Sequence, residues 1–100
     1  MYLFLKVDGF VGNVKYTEEC FDGIRLVFRF ENNYGASVVK NSYSYGHEKD
    51  LWELAVIKFR SDCVCNYCWE LNYDTPITND VIGYLTNDEV LEILKQIKEL

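Results

Sequence analysis

Apolar and polar positions alternate most regularly from Ile24 to Phe30. Ile24, Leu26, Phe28 and Phe30 share one face, and Arg25 and Arg29 lie on the other. A period of two marks a strand half-buried on one side. Glu31-Asn32-Asn33-Tyr34-Gly35 then reads as a hairpin-type turn, with Asn and Gly suited to positive φ. Ala36 to Lys40 is the return strand. Leu51 to Phe59 is apolar on both faces except at Glu53 and Lys58, which suits a central strand covered on both sides. Cys65 to Tyr73 alternates again. Cys65, Tyr67, Trp69, Leu71 and Tyr73 fall on one face, and Asn66, Cys68, Glu70 and Asn72 on the other. Pro76 ends that strand because it cannot donate to a ladder. Towards the start of the chain, Tyr2 to Val7 is apolar enough for a first strand. Asp8-Gly9, Gly12-Asn13 and Asp22-Gly23 carry turn chemistry. Val14 to Cys20 fits either a short strand or an irregular connector.

The period changes near the end of the chain. Thr78-Asn79-Asp80 reads as the cap of one helical turn through Val81 and Ile82, closed by Gly83. Thr86-Asn87-Asp88-Glu89 is a capping box: the Thr86 hydroxyl accepts from the N3 amide, and Glu89 reaches back to the cap amide. Leu85 before the cap and Val90 at N4 complete a hydrophobic staple. Val90, Ile93, Leu94 and Ile97 then share one face, flanked by Leu91 and Leu100, while Glu92, Lys95, Gln96 and Glu99 face water. The pattern predicts an α+β fold in two layers, an antiparallel β-sheet of about five strands with a C-terminal amphipathic helix packed on one face. The length of 100 residues fits one domain over residues 1–100.

Composition narrows the function classes. Hydrophobic residues make up 49% of the chain and aromatics 16%, enough for a core and for aromatic contact patches. The formal charge of −6 disfavours direct nucleic-acid binding, which needs clustered Lys and Arg. It suits a solvated surface or an acidic face offered to a basic partner. No run approaches roughly 18 apolar residues, so no membrane span is expected. The first residues lack the basic and apolar regions of a signal peptide. A cytoplasmic location is therefore expected, with Cys20, Cys63, Cys65 and Cys68 reduced unless they bind metal.

Candidate chemistry is sparse. Cys65 and Cys68 have CxxC spacing and Cys63 lies beside them, so these three are the candidate zinc ligands, with Cys20 or His47 as a fourth. A regular strand opposes convergence, because Cys63 and Cys65 point to one face and Cys68 to the other; a bulge at Asn66 would be required. A redox CxxC fits less well, since such motifs work at a helix N-terminus. His47 is the sole histidine. Nothing in its spacing to a Cys, Ser42 or Ser44 marks a nucleophilic dyad, and no triad or phosphate loop is present. No catalytic residue is predicted. The polar segment from Asn41 to Asp50 is the longest irregular stretch. With the start of the next strand it contributes Tyr43, Tyr45, His47, Glu48, Asp50 and Trp52 as the candidate partner-binding residues. The competing reading puts these rings in the core.

Four stretches carry a resemblance: Asn33-Tyr-Gly-Ala-Ser-Val-Val39, Ser44-Tyr-Gly46, Leu51-Trp-Glu-Leu-Ala-Val56 and Tyr73-Asp-Thr-Pro-Ile-Thr-Asn-Asp-Val-Ile-Gly-Tyr-Leu-Thr86. There the chain resembles a group of small proteins of bacteriophages, prophages and bacterial mobile elements that have no assigned activity. The resemblance brings no catalytic residue and transfers no site residue. It implies a context in which small acidic accessory proteins bind and block host proteins. The expectation is a non-enzymatic, protein-binding accessory module without a cofactor, a phage-type inhibitor of a host defence protein or nuclease (anti-CRISPR-like). It would act by steric block or nucleic-acid mimicry. The alternative is a small zinc-binding structural domain built on Cys63, Cys65 and Cys68. A hydrolase-like or nucleotide-handling enzyme ranks below both.

Overall fold

The computed structural model describes residues 9–20, 22–42, 47–49, 51–62, 67–72, 75, 77 and 81–100. The strand expected over Tyr2 to Val7 lies outside these residues. Six strands follow in order: β1 (Val14–Cys20), β2 (Gly23–Arg29), β3 (Tyr34–Lys40), β4 (Trp52–Phe59), β5 (Trp69–Leu71) and β6 (Ile82–Leu85). The helix α1 (Asn87–Lys98) comes last, and short 3-10 turns occupy Val11–Asn13 and His47–Lys49. All described strands pair antiparallel in one sheet ordered β1-β2-β3-β4-β5. The far edge of β4 is shared. Its C-terminal half pairs with β5, and its N-terminal half pairs with β6. The α+β class with a C-terminal helix holds, with a six-stranded antiparallel sheet.

The β2–β3 connection shows how local chemistry sets register. The Asn33 N–H donates to the Phe30 carbonyl and the Phe30 N–H to the Tyr34 carbonyl. Asn33 adopts φ 68, a left-handed conformation that Asn tolerates better than most residues. This is a three-residue hairpin loop closed by a left-handed residue. Two residues on, Gly35 pairs with Arg29, and a Cβ there would sit 1.9 Å from the Phe28 carbonyl oxygen. Only glycine lets the two strands meet at that distance.

Both faces of the sheet are apolar. On one face Leu26, Phe28, Ala36, Val38, Leu54 and Val56 are buried in a cluster with Val90, Leu94 and Ile97 of α1. The capping box at Thr86 and Glu89 is present in both directions. At its other end the helix is held from a distance. Asn32 Nδ2 donates to the carbonyls of Ile97, Lys98 and Leu100, at 3.0, 3.3 and 3.2 Å, and Asn32 Oδ1 accepts the Tyr34 N–H at 2.9 Å. One side chain thus satisfies helix-end carbonyls and orders the hairpin turn.

The opposite face has a smaller core of Val27, Ile57 and Phe59, packed by Tyr16 of β1 and Trp69 of β5. The Trp69 indole N–H donates to the Tyr16 oxygen at 2.9 Å, although these strands stand four positions apart in the sheet. In a flat sheet that separation is about 19 Å, too far for the two rings to meet. The sheet therefore curls towards this face, and its small residues, Gly35, Ser37 and Ala55, leave room for the curl.

Two sequence expectations are corrected here. Val81 and Ile82 do not form a helical turn closed by Gly83. Ile82–Leu85 is a strand on β4, because backbone groups on the open edge of β4 need partners and a local capping signal does not supply them; Thr78 to Asp80 lie outside the described residues. The strand expected over Cys65 to Tyr73 is limited to Trp69–Leu71 among the described residues. Val14–Cys20 resolves as a full strand.

Candidate functional site

Where β6 joins β4, the register shifts. Leu54 pairs with Ile82 and Trp52 with Leu85, so Gly83 and Tyr84 together oppose Glu53. This bulge forces Tyr84 to φ 58, a left-handed conformation that a bulky aromatic residue rarely takes. The bulge aims the ring outward, leaving Tyr84 50% exposed. Its hydroxyl donates to Glu48 Oε2 at 3.2 Å. Glu48 lies in the 3-10 turn just before β4, where Lys49 is also exposed. A surface aromatic ring and a carboxylate are thereby held side by side. Bulges and left-handed non-glycine residues concentrate at functional sites.

The predicted contact residues separate on this frame. Glu48 is on the surface and meets Tyr84. His47 belongs to the same turn by its backbone. Tyr43, Tyr45 and Asp50 lie outside the described residues. Trp52 is corrected: it is only 3% exposed and belongs to the helix-side core. Lys40 Nζ lies 4.3 Å from the centre of its ring. The parity of Trp52 with Leu54 and Val56 places it on the inward face of β4, so it supports the surface from beneath. Tyr84 was missed because the sequence around it reads as a helical turn; a tyrosine after Gly83 gives no local sign of an outward-aimed ring.

The cysteine cluster also changes. Cys68 is disulfide-bonded, against the expectation of reduced thiols, which rested on an inferred compartment alone. Sulfur in a disulfide is no thiolate and does not ligate zinc in that state. Cys63 and Cys65 lie outside the described residues, and among the described residues no three His, Cys, Asp or Glu side chains group as a metal site.

A second feature is an open polar depression of about 660 Å³ at the other end of β4, lined by Asn32, Asn33, Lys58, Phe59, Arg60, Ser61, Asp62 and Glu70. Three of its four charged side chains already have partners. Arg60 Nε pairs with Asp62 at 3.3 Å, and Lys58 Nζ sits 4.1 Å above the Tyr34 ring. The Arg60 and Asp62 side chains are 70% and 75% exposed, so water weakens their fields. Ser61 is the one hydroxyl side chain in this lining, and no histidine is among the lining residues.

The Tyr16 phenol has a shifted pKa. Burial raises it above the usual 10.0, and the Trp69 N–H donated to its oxygen opposes that shift. The charge of Glu18 adds to the rise and that of Arg25 reduces it. This group closes the second core and has no catalytic partner geometry.

No helix among the described residues is long and apolar enough to cross a membrane. Comparison with protein-family models, curated proteins and solved structures finds no match to this chain.

Proposed function

We propose that the chain is a non-catalytic, protein-binding accessory module that presents the Tyr84–Glu48 pair to a basic surface of its partner. The observation that carries this reading is Tyr84 itself, an exposed ring kept at φ 58 by a bulge and bonded to a carboxylate. A left-handed non-glycine residue costs of order 1–3 kcal/mol, and half of the Tyr84 surface is open to solvent. A ring beside a carboxylate suits the side chain of an arginine or lysine, which gains both a cation–π contact and a charge partner. The formal charge of −6 favours approach to a basic protein. The resemblance to phage and prophage accessory proteins adds a context: a cytoplasmic inhibitor of a host defence protein or nuclease, acting by steric block or by imitating nucleic acid in a basic channel. The proposal includes no direct nucleic-acid contact, no membrane contact and no cofactor.

Tyr84→Gly tests it without threatening the fold, because glycine accepts the left-handed conformation. Binding is measured on the partner recovered from host lysate by the parent chain. Tyr84→Gly and Glu48→Lys should each weaken it at least about tenfold, near 1.4 kcal/mol, with a melting temperature equal to or above that of the parent for Tyr84→Gly. Unchanged affinity in both variants, or turnover of a substrate by the purified chain, would sink the reading.

A further inference from the structure

The sheet has one long edge that no described strand covers. The far edge of β4 is taken by β5 and β6, and β1 ends the sheet on the other side. From Tyr16 opposite Val27 to Cys20 opposite Gly23, β1 pairs with β2 without a break; its register shift lies between Val14 and Tyr16, at Lys15. In an antiparallel ladder alternate residues turn their N–H and C=O groups away from the partner strand, so this run presents a row of backbone groups outward. Lys15, Thr17, Glu18 and Glu19 are exposed. Bulges and lysines guard sheet edges, but here both stand at Lys15, and the run from Tyr16 to Cys20 carries no proline and no shift. Its charges are acidic. Glu18 lies opposite Arg25 and is bonded to it at 3.2 Å, yet its side chain stays 45% exposed. Glu19 lies opposite Ile24, on the other face, and has no ion-pair partner among the described residues. Beside the start of the run, Tyr67 stacks on Tyr16 with ring centres 4.6 Å apart and is itself 67% exposed.

We propose that the outer edge of β1 is a docking site for an extended basic segment of a partner protein, which adds to the sheet as a further strand. Main-chain hydrogen bonds to β1 hold the segment, and side chains select it. Successive residues of a strand point to opposite faces. An antiparallel segment therefore places one Lys or Arg across from Glu19 and the next across from Glu18, one on each face. Two positions further on, the residue across from Tyr16 meets the exposed Tyr67 ring, which suits an apolar or cationic side chain. The edge thus reads basic, basic, any residue, apolar. A second copy of the chain is a poor occupant. It brings its own Glu18 and Glu19 and a net charge of −6, and like charges set across a ladder repel. The edge lies on the opposite side of the sheet from the edge of β4 that carries Tyr84. It is a second contact surface and needs nothing from the Tyr84–Glu48 pair.

The test uses the full chain and a capped synthetic peptide, Thr-Lys-Lys-Thr-Val-Thr, followed by nuclear magnetic resonance titration and by amide hydrogen exchange. In the free protein alternate amides from Tyr16 to Cys20 should exchange fast, and saturating peptide should slow them by about tenfold or more. Glu19→Lys should weaken peptide binding at least about threefold at low salt. N-methylation of alternate peptide amides removes ladder donors and keeps both charges, and it should weaken binding at least about tenfold. Four results overturn the proposal. One is no binding up to about 1 mM peptide. Another is equal binding of the N-methylated peptide, which would leave charge attraction alone. The third is slow exchange of every amide of the run in the free protein, which would show the edge already covered by the chain itself. The last is a mass that doubles with protein concentration through this edge, which would make a second copy the occupant.

Discussion

At the scale of single residues, Asn32 does more than its position in a turn suggests. Its amide nitrogen serves three carbonyls at the end of α1, and its amide oxygen serves the turn. Asn32→Ala removes both sets of bonds and leaves the Lys98 and Leu100 carbonyls to water, while Ile97 keeps the Leu100 N–H. The loss should be about 1–3 kcal/mol, read as a lower urea midpoint with an unchanged slope. Asn32→Asp keeps the turn acceptor but brings a negative charge to the helix C-terminus, so it should not restore stability. None of this is legible in the sequence, because the partners stand 65 to 68 positions away. The left-handed Asn33 is legible, since it depends only on the turn beside it. Tyr16 gives a second test at this scale. Its phenol is raised by burial, so the unfolded chain ionises first as pH rises. The contribution of this group to stability is complete below about pH 10 and is lost as pH climbs through the folded value. In alkaline denaturation Tyr16→Phe should therefore flatten the fall in stability above that point. An equally steep fall in the variant would assign the effect to other groups.

At the scale of elements, the helix and β6 show what sequence patterns can and cannot reveal. The capping box from Thr86 to Glu89 is legible because its partners lie within one turn. Thr86→Ala should cost about 1 kcal/mol. Leu94→Ala should cost about 2–5 kcal/mol, because Leu94 is fully buried against the sheet. A chemical-denaturation series checks that ordering, and equal losses at the two sites would contradict the burial of α1. Ile82–Leu85 shows the opposite case. Thr78-Asn79-Asp80 and Gly83 imitate a cap and a stop, yet the segment becomes a strand because the edge of β4 next to Trp52 and Leu54 needs a partner. That demand comes from a strand some thirty residues earlier, and no local window contains it. The bulge that turns Tyr84 outward follows from the same pairing, so the candidate site was hidden for the same reason as the strand. Glu48, by contrast, was accessible to sequence reasoning, because a charged residue in a polar connector stays on the surface.

At the scale of the whole molecule, β4 joins the two cores. Trp52, Leu54 and Val56 face the helix side, and Ala55, Ile57 and Phe59 face the other. Such a strand cannot leave one layer intact while the other unfolds, so the two faces should unfold as one cooperative unit in the oxidised protein. The chain carries a reporter for each. Trp52 is buried on the helix side, and Trp69 closes the second core. Trp69→Phe leaves only Trp52 fluorescent at the indole wavelength, and Trp52→Phe leaves only Trp69. Each variant shifts its own midpoint, so the comparison must be made within each protein, between its tryptophan signal and the far-ultraviolet signal of α1. In the oxidised state the two signals should coincide in both variants. A Trp69 transition well before loss of helix in the oxidised Trp52→Phe protein would show that β5 opens by itself even with the disulfide intact. The second face would then be a cover on an otherwise complete domain, and the bridging role assigned to β4 would fail.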